Sequence, residues 1–304
     1  MFKNFSTEAL GFSAPQNEQI EMALTHGFRA VDVDIVDIAQ QVQIRGSEKA
    51  RRLLESARRC QPSFRVSTFR LPVNWEDDKR YQEEIKLLPP LAKLAADLGC
   101  VGATGRISPA SNVRPMPENF EIHRQRLGEI GRILHDCGLR LGLEFQAPAA
   151  LRQGKKYEFI HDWDGLLSLI DGLPGVALVI DNWQMYTCGA SLDKVRNIDV
   201  RRVVNVRISD APPDVAAANL APEHRLLPAT TGVVDSLALL TMLRDAGYQG
   251  PVTPAMHASH NRGRRRDAVA RQAGELMDKL WRGLGFPSTR PAPAEVVGAS
   301  RIEA

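Results

Sequence analysis

Two short apolar runs in this 304-residue chain each close on a single carboxylate. RLGLEF ends its polar-free stretch at Glu144, and VALVID ends at Asp181. An acid at the end of a buried strand is costly unless a cation or hydrogen-bond donors meet it. A third run, VVNVRI, carries Arg207 among otherwise apolar neighbours, which favours an ion-pair partner for those acids over an arginine directed out between helices. Its guanidinium keeps its proton at any working pH, so it cannot ligate a metal, but its planar fork of donors can bridge two carboxylates. Contacts between Arg207 and Glu144, Asp181 or both are therefore expected.

Other residues fall near these ends. Gln184, three after Asp181, reads as a substrate contact. Trp183, just past Asp181, and Trp75, after the third apolar run, suit a carbohydrate pocket, because sugars offer flat C–H faces to aromatic rings. Packing between loops is the alternative for both. Arg106 and Arg114 flank the loop RISPASNVR and are expected to line the same cleft. His257 is either a replacement metal ligand or a loop histidine; alternation returns it to the face of Ala255 two residues before. Arg152, Lys155 and Lys156 read as a solvated charge run.

The elements that must position these residues alternate short apolar runs with longer amphipathic ones. Expected strands are Leu10–Ser13, Ala30–Ile35, Phe64–Leu71, Val101–Ile107, Leu141–Phe145, Val176–Asp181, Val203–Ile208 and Val252–Met256. Helices are expected over Gln16–His26, Ser47–Cys60, Asp78–Leu98 with a break at Pro89-Pro90, Asn119–Cys137, Asp162–Ile170, Val233–Ala246 and Arg262–Leu284. This repeated β-then-α order points to a (β/α)8 barrel over residues 1–286, with 287–304 as a loose tail. A doubly wound open sheet would want a Gly-rich dinucleotide loop after the first strand, and FSAPQN offers none. In a barrel the C-terminal strand ends carry the chemistry, which is where Glu144, Asp181 and Arg207 fall.

Composition narrows the partners. A net charge of +3 gives no general case for nucleic acid, and the basic cluster Arg264–Arg266 lacks aromatic interleaving. No apolar run is long enough for a membrane span. Cys60, Cys100, Cys137 and Cys188 have no CxxC spacing and read as core or near-core thiols, which fits a cytoplasmic location.

LGLEF, IDNWQMYTCGA, VRISDAP, LLPATTGVVD and AGYQGPVTPAM, in that order, resemble the sugar phosphate isomerase/epimerase superfamily, the xylose isomerase-like TIM barrels that include tagatose epimerases and inosose-pathway enzymes. The similarity runs over nearly the whole chain. It implies one divalent metal (Mn, Mg or Zn) held by Glu, Asp, His and Glu on strands five to eight, with a further His holding substrate and the two glutamates moving a proton beside the substrate carbonyl. Glu144 and Asp181 match the first two ligands. Arg207 stands at the His position, Ala255 at the second Glu position and Gln184 at the substrate-His position. Two of four ligands are replaced, so no cofactor is predicted and Arg207 is expected in the metal's place.

Three functions follow: a sugar or polyol isomerase or epimerase with an altered site, in which Glu144 is catalytic; a non-catalytic relative that binds a sugar-like ligand or a partner; or a metal enzyme with a rebuilt ligand set. A small polar sugar-like ligand is the expected partner, with a homo-oligomer possible.

Overall fold

The computed structural model describes residues 1–45 and 47–287. The tail expected at the C-terminus falls, from 288 on, outside the described residues. Eight parallel strands close into a barrel: β1 (Phe2–Phe5), β2 (Ala30–Val33), β3 (Arg65–Arg70), β4 (Gly102–Arg106), β5 (Leu141–Glu144), β6 (Val176–Asp181), β7 (Val203–Ile208) and β8 (Pro251–Pro254). Each pairs with its sequence neighbours, and β8 returns to β1 through Phe2–Pro251 and Lys3–Val252. Helices wrap the outside and bury apolar faces against the strands, as the amphipathic helix Met116–Asp136 does through Leu127, Ile130 and Leu134.

The expected first strand, Leu10–Ser13, is not one. β1 is Phe2–Phe5, and Leu10 is buried in the turn that follows it. Lys3 and Asn4 hide β1 from a hydrophobic reading, because both are buried polar residues with partners. Lys3 Nζ meets Asp278 at 2.5 Å, and Asn4 bonds Asp32 and Thr253.

Two further differences have local causes. An unforeseen helix, Ile35–Arg45, follows β2, started by Asp34, whose side chain accepts from the backbone N–H groups of Val36 and Asp37. The long helix expected over Asp78–Leu98 is two, Asp78–Glu84 and Leu88–Leu98, joined by a 3-10 turn. The prolines sit in the first turn of the second helix, where a missing N–H costs no intrahelical bond. Cys60 is exposed rather than near the core, because it ends the outer helix Ser47–Cys60. Among the described residues no helix is long and apolar enough to cross a membrane.

Register brings the charged residues to one level. Arg106 aligns with Glu144 across β4 and β5, and Asp181 aligns with Arg207 across β6 and β7. Side chains inside such a barrel stack in layers drawn from alternate strands. Glu144 on β5 and Arg207 on β7 share the odd set, whereas Asp181 on β6 belongs to the even one.

Candidate functional site at the barrel mouth

Glu144 ends β5 and is 1% exposed. Its Oε1 accepts from Arg207 Nη1 at 2.8 Å and from Arg106 Nε. Its Oε2 is buried with no hydrogen-bond partner among the described residues. Glu8, in the turn after β1, faces the same two arginines, with Oε1 3.4 Å from Arg106 and Oε2 3.7 Å from Arg207. The result is an alternating array of two acids and two guanidiniums. Burial pushes both carboxyl groups up, but the charges of Arg207 and then Arg106 outweigh it and hold both below the usual glutamate range. The same acids overcome the burial of Arg106 and raise its pKa.

Of the contacts expected from Arg207, the one to Glu144, its layer neighbour, is made, and Asp181 is met by Arg225, with Nη2 at 2.5 Å from Oδ2. Arg225 lies in the loop after β7, donates from Nε to Ser209 Oγ at 2.7 Å and stacks over the Trp183 ring. Asp181 Oδ1 accepts from the backbone N–H groups of Trp183 and Gln184, so it caps the short helix Asn182–Thr187. Both of its oxygens are thus occupied. The loop that carries Arg225 is pinned by Asp210, which accepts from the backbone of Ala211, Thr231, Gly232 and Val234. Burial raises the Asp210 pKa, and these donors more than reverse it.

A cavity of about 1180 Å³ opens over the ends of β1 to β4. Glu8, Asp32, Arg70, Trp75, Arg106 and Arg207 are among its lining residues. Trp75 lines this cavity and packs over Gly105, where a Cβ would come within 2.5 Å of the ring. Trp183 does not line it. It is 1% exposed and lies in a separate apolar cluster with Ala211, Leu220 and Val234, because Asp181 starts a helix at the next residue and turns Trp183 beneath the β7 loop. Gln184 is also drawn off the cavity, its Oε1 accepting from Ala147 N at 2.7 Å. His257 caps the 3-10 turn Ala258–Asn261 through Ser259 and does not line the cavity. Ala255 follows β8, and Arg114 binds Asp78 and the Glu76 carbonyl rather than the cleft.

The sequence reading missed Glu8, Asp32 and Arg225. Moving β1 to Phe2–Phe5 brings Glu8 to the mouth, and AVDVDI does show an acid within β2. Nothing local to EHRLLP reveals that Arg225 swings in to Asp181.

A family model described as the xylose isomerase-like TIM barrel matches residues 20–280. The chain belongs to that family. No curated protein matches it. Among solved structures, a xylose isomerase domain protein from Alicyclobacillus acidocaldarius subsp. acidocaldarius is 25% identical, with a TM-score of 0.81 over 94% of this chain and 99% of that one. A structure titled as the IOLI protein with a binding zinc atom is 16% identical, with a TM-score of 0.72 over 94% of this chain and 98% of that one. The probable 3-DHS dehydratase AsbF from Bacillus anthracis is 13% identical, with a TM-score of 0.68 over 91% of this chain and 98% of that one. The last two likenesses show the fold alone.

The divalent ion that the family pattern implies does not fit the residues present. Among the described residues no group of three or more His, Cys, Asp or Glu side chains could hold a metal. Glu144 already meets two guanidiniums, and Asp181 meets one guanidinium and two backbone donors. A cation placed between them would face Arg207 at the position of the missing histidine.

Proposed function

We propose that this xylose isomerase-like barrel binds an uncharged sugar or polyol in the cavity over β1 to β4 and acts on its carbonyl form as an isomerase or epimerase without a resident metal. The observation that carries this reading is the pairing of Arg106 and Arg207 on Glu144 while both guanidiniums also line the cavity. Moving a proton from the carbon next to a carbonyl needs two things: donors aimed where negative charge develops on oxygen, and a carboxylate near the carbon. The two arginines supply the first. Glu8, with a side chain 38% exposed, is the reachable carboxylate. Glu144 was the expected catalytic acid. Its burial and its guanidinium partners suit it better to holding Arg106 and Arg207 in place.

Charge argues for a ligand without phosphate. The lining carries six carboxyl groups (Glu8, Asp32, Asp34, Asp37, Glu76, Glu84) against four guanidiniums (Arg70, Arg80, Arg106, Arg207), and three of those arginines already pair with acids. Trp75 offers an apolar face for a sugar ring.

Binding without turnover is the second reading. The lowered pKa of Glu8 favours it, since a carboxylate so stabilised is a weaker base. Calorimetric titration with D-tagatose, D-fructose, myo-inositol and an inosose, alongside incubation of the same compounds with the protein in deuterated water, separates the two. The first reading expects saturable binding of at least one carbonyl compound and deuterium at its neighbouring carbon. Binding with no deuterium uptake supports the second, and no binding across the panel contradicts both.

A further inference from the structure

Asp32 sits in β2, among the residues that line the cavity. Its Oδ1 accepts three hydrogen bonds: from Asn4 Nδ2 at 2.9 Å, from Thr68 N at 3.1 Å and from Thr68 Oγ1 at 2.7 Å. Among the described residues no cation pairs with it, in contrast to Glu8 beside Arg106 and Arg207. A neutral carboxylic acid has one oxygen that accepts and one O–H that donates. Three donors converging on Oδ1 hold the carboxyl in one orientation, and the Ser6 hydroxyl is a further hydrogen-bond partner of this carboxyl on the cavity wall.

The surroundings hold this acid in place. Asn4 gives its second amide hydrogen to Thr253 Oγ1 at 2.9 Å, and Thr253 in turn donates to Asn205 Oδ1 at 2.9 Å. Barrel interiors are usually filled with branched apolar side chains. Here a buried polar chain crosses from β7 through β8 and β1 and ends on Asp32. Such a network fixes geometry at a cost in desolvation, and its terminus lies among the residues that line the cavity.

We propose that Asp32 is the acid partner of Glu8 in this cavity, donating its carboxyl proton to the carbonyl oxygen of a bound ketose or inosose as Glu8 removes the proton from the adjacent carbon. This rests on the isomerase or epimerase reading above. In the step, the C–H bond breaks and its proton passes to the Glu8 carboxylate. The C–H electron pair becomes the C=C bond of an enol, and the carbonyl π pair moves onto oxygen, which takes the Asp32 proton while Arg106 or Arg207 donates to it. Delivery of the Glu8 proton to the former carbonyl carbon, with the hydroxyl proton of the adjacent carbon passing to Asp32 as that carbon becomes the carbonyl, completes isomerisation and resets both acids. No oxidant or reductant is required. Burial pushes the Asp32 carboxyl up from its ordinary value, while the arginines hold Glu8 down, and carboxyls driven apart in this way are suited to opposite roles.

The test uses the full-length protein, D-tagatose and an inosose as probes, and NMR exchange in deuterated water. Asp32→Asn keeps the shape and an acceptor for Asn4 and Thr68 but has no acidic proton. Its exchange rate should fall about 100-fold or more, with probe Kd within about threefold and an unchanged Tm. A role in structure alone would move Kd and Tm instead. Thr68→Val, which keeps the carboxyl and removes one Oδ1 donor, should slow exchange about tenfold, and it serves also if Asp32→Asn does not fold. Exchange by the unmodified protein that persists unchanged in the variants overturns the role of Asp32 and leaves the functional reading standing. An unmodified protein that binds neither probe overturns both.

Discussion

The two halves of the barrel mouth use the same chemical groups to opposite effect. Over β6 and β7 a carboxylate and a guanidinium, Asp181 and Arg225, close the mouth: both acid oxygens are occupied, Trp183 is packed underneath, and Asp210 ties the covering loop down. Over β1 to β4 the Glu144, Arg106, Arg207 and Glu8 array borders an open cavity and is left incomplete, since Glu144 Oε2 and Arg207 Nε have no hydrogen-bond partner among the described residues. Burying charge is tolerated in both places because each acid meets a cation. The difference lies in the charged groups left unsatisfied, since over β6 and β7 the unpartnered atom is the neutral Trp183 Nε1, and unsatisfied polar atoms beside a cavity are where a polar ligand gains most.

Removing one arginine from each half sharpens the contrast. Arg207→Ala should cost about 3–5 kcal/mol in urea unfolding, because Glu144 would keep only Arg106, and it should abolish sugar binding. Arg225→Ala should cost about 3 kcal/mol, at the lower end because Asp181 retains two backbone donors, and should leave ligand Kd within about twofold. Binding that survives Arg207→Ala but is lost in Arg225→Ala would reverse the assignment of the two halves.

Acid titration is expected to have a smaller effect. Glu144 and Glu8 have folded pKa values below their unfolded ones, so the stability they contribute is complete above about pH 4.3 and is lost as pH falls through the folded values. Arg207→Ala should flatten that acid limb in unfolding free energies measured between about pH 5 and 2. An unaltered slope would mean that the array does not hold these acids ionised. The smallest change is expected from Gly105→Ala, whose Cβ would meet the Trp75 ring at 2.5 Å. Displacing the ring should cost about 1–3 kcal/mol and weaken sugar binding, read by calorimetry. Unchanged affinity would remove Trp75 from the ligand.

Much of this arrangement is legible in the sequence, and the limits have physical causes. β6 and β7 read correctly to the residue because Val176–Asp181 and Val203–Ile208 are buried on both faces and form continuous apolar runs. Glu144, Asp181 and Arg207 stand out for the same reason, as single charges in such runs. β1 does not, because Lys3 and Asn4 are buried with partners distant in the chain, and Glu8 is lost with it. Trp183 was expected at the ligand from spacing alone, but the side chain of Asp181 starts a helix there and changes the direction of everything after it. Arg225 belongs to a long loop whose path depends on the Asp210 contacts, which no local pattern encodes.

Whether guanidinium groups occupy the role that a divalent ion has in the family pattern is tested most directly by elemental analysis of the protein purified without chelator, followed by calorimetric titration with Mn²⁺ and Zn²⁺. Metal far below one equivalent is expected, with no saturable binding that depends on Glu144 and Asp181. One tightly bound equivalent, lost in Glu144→Ala and in Asp181→Ala, would contradict that role for the guanidiniums.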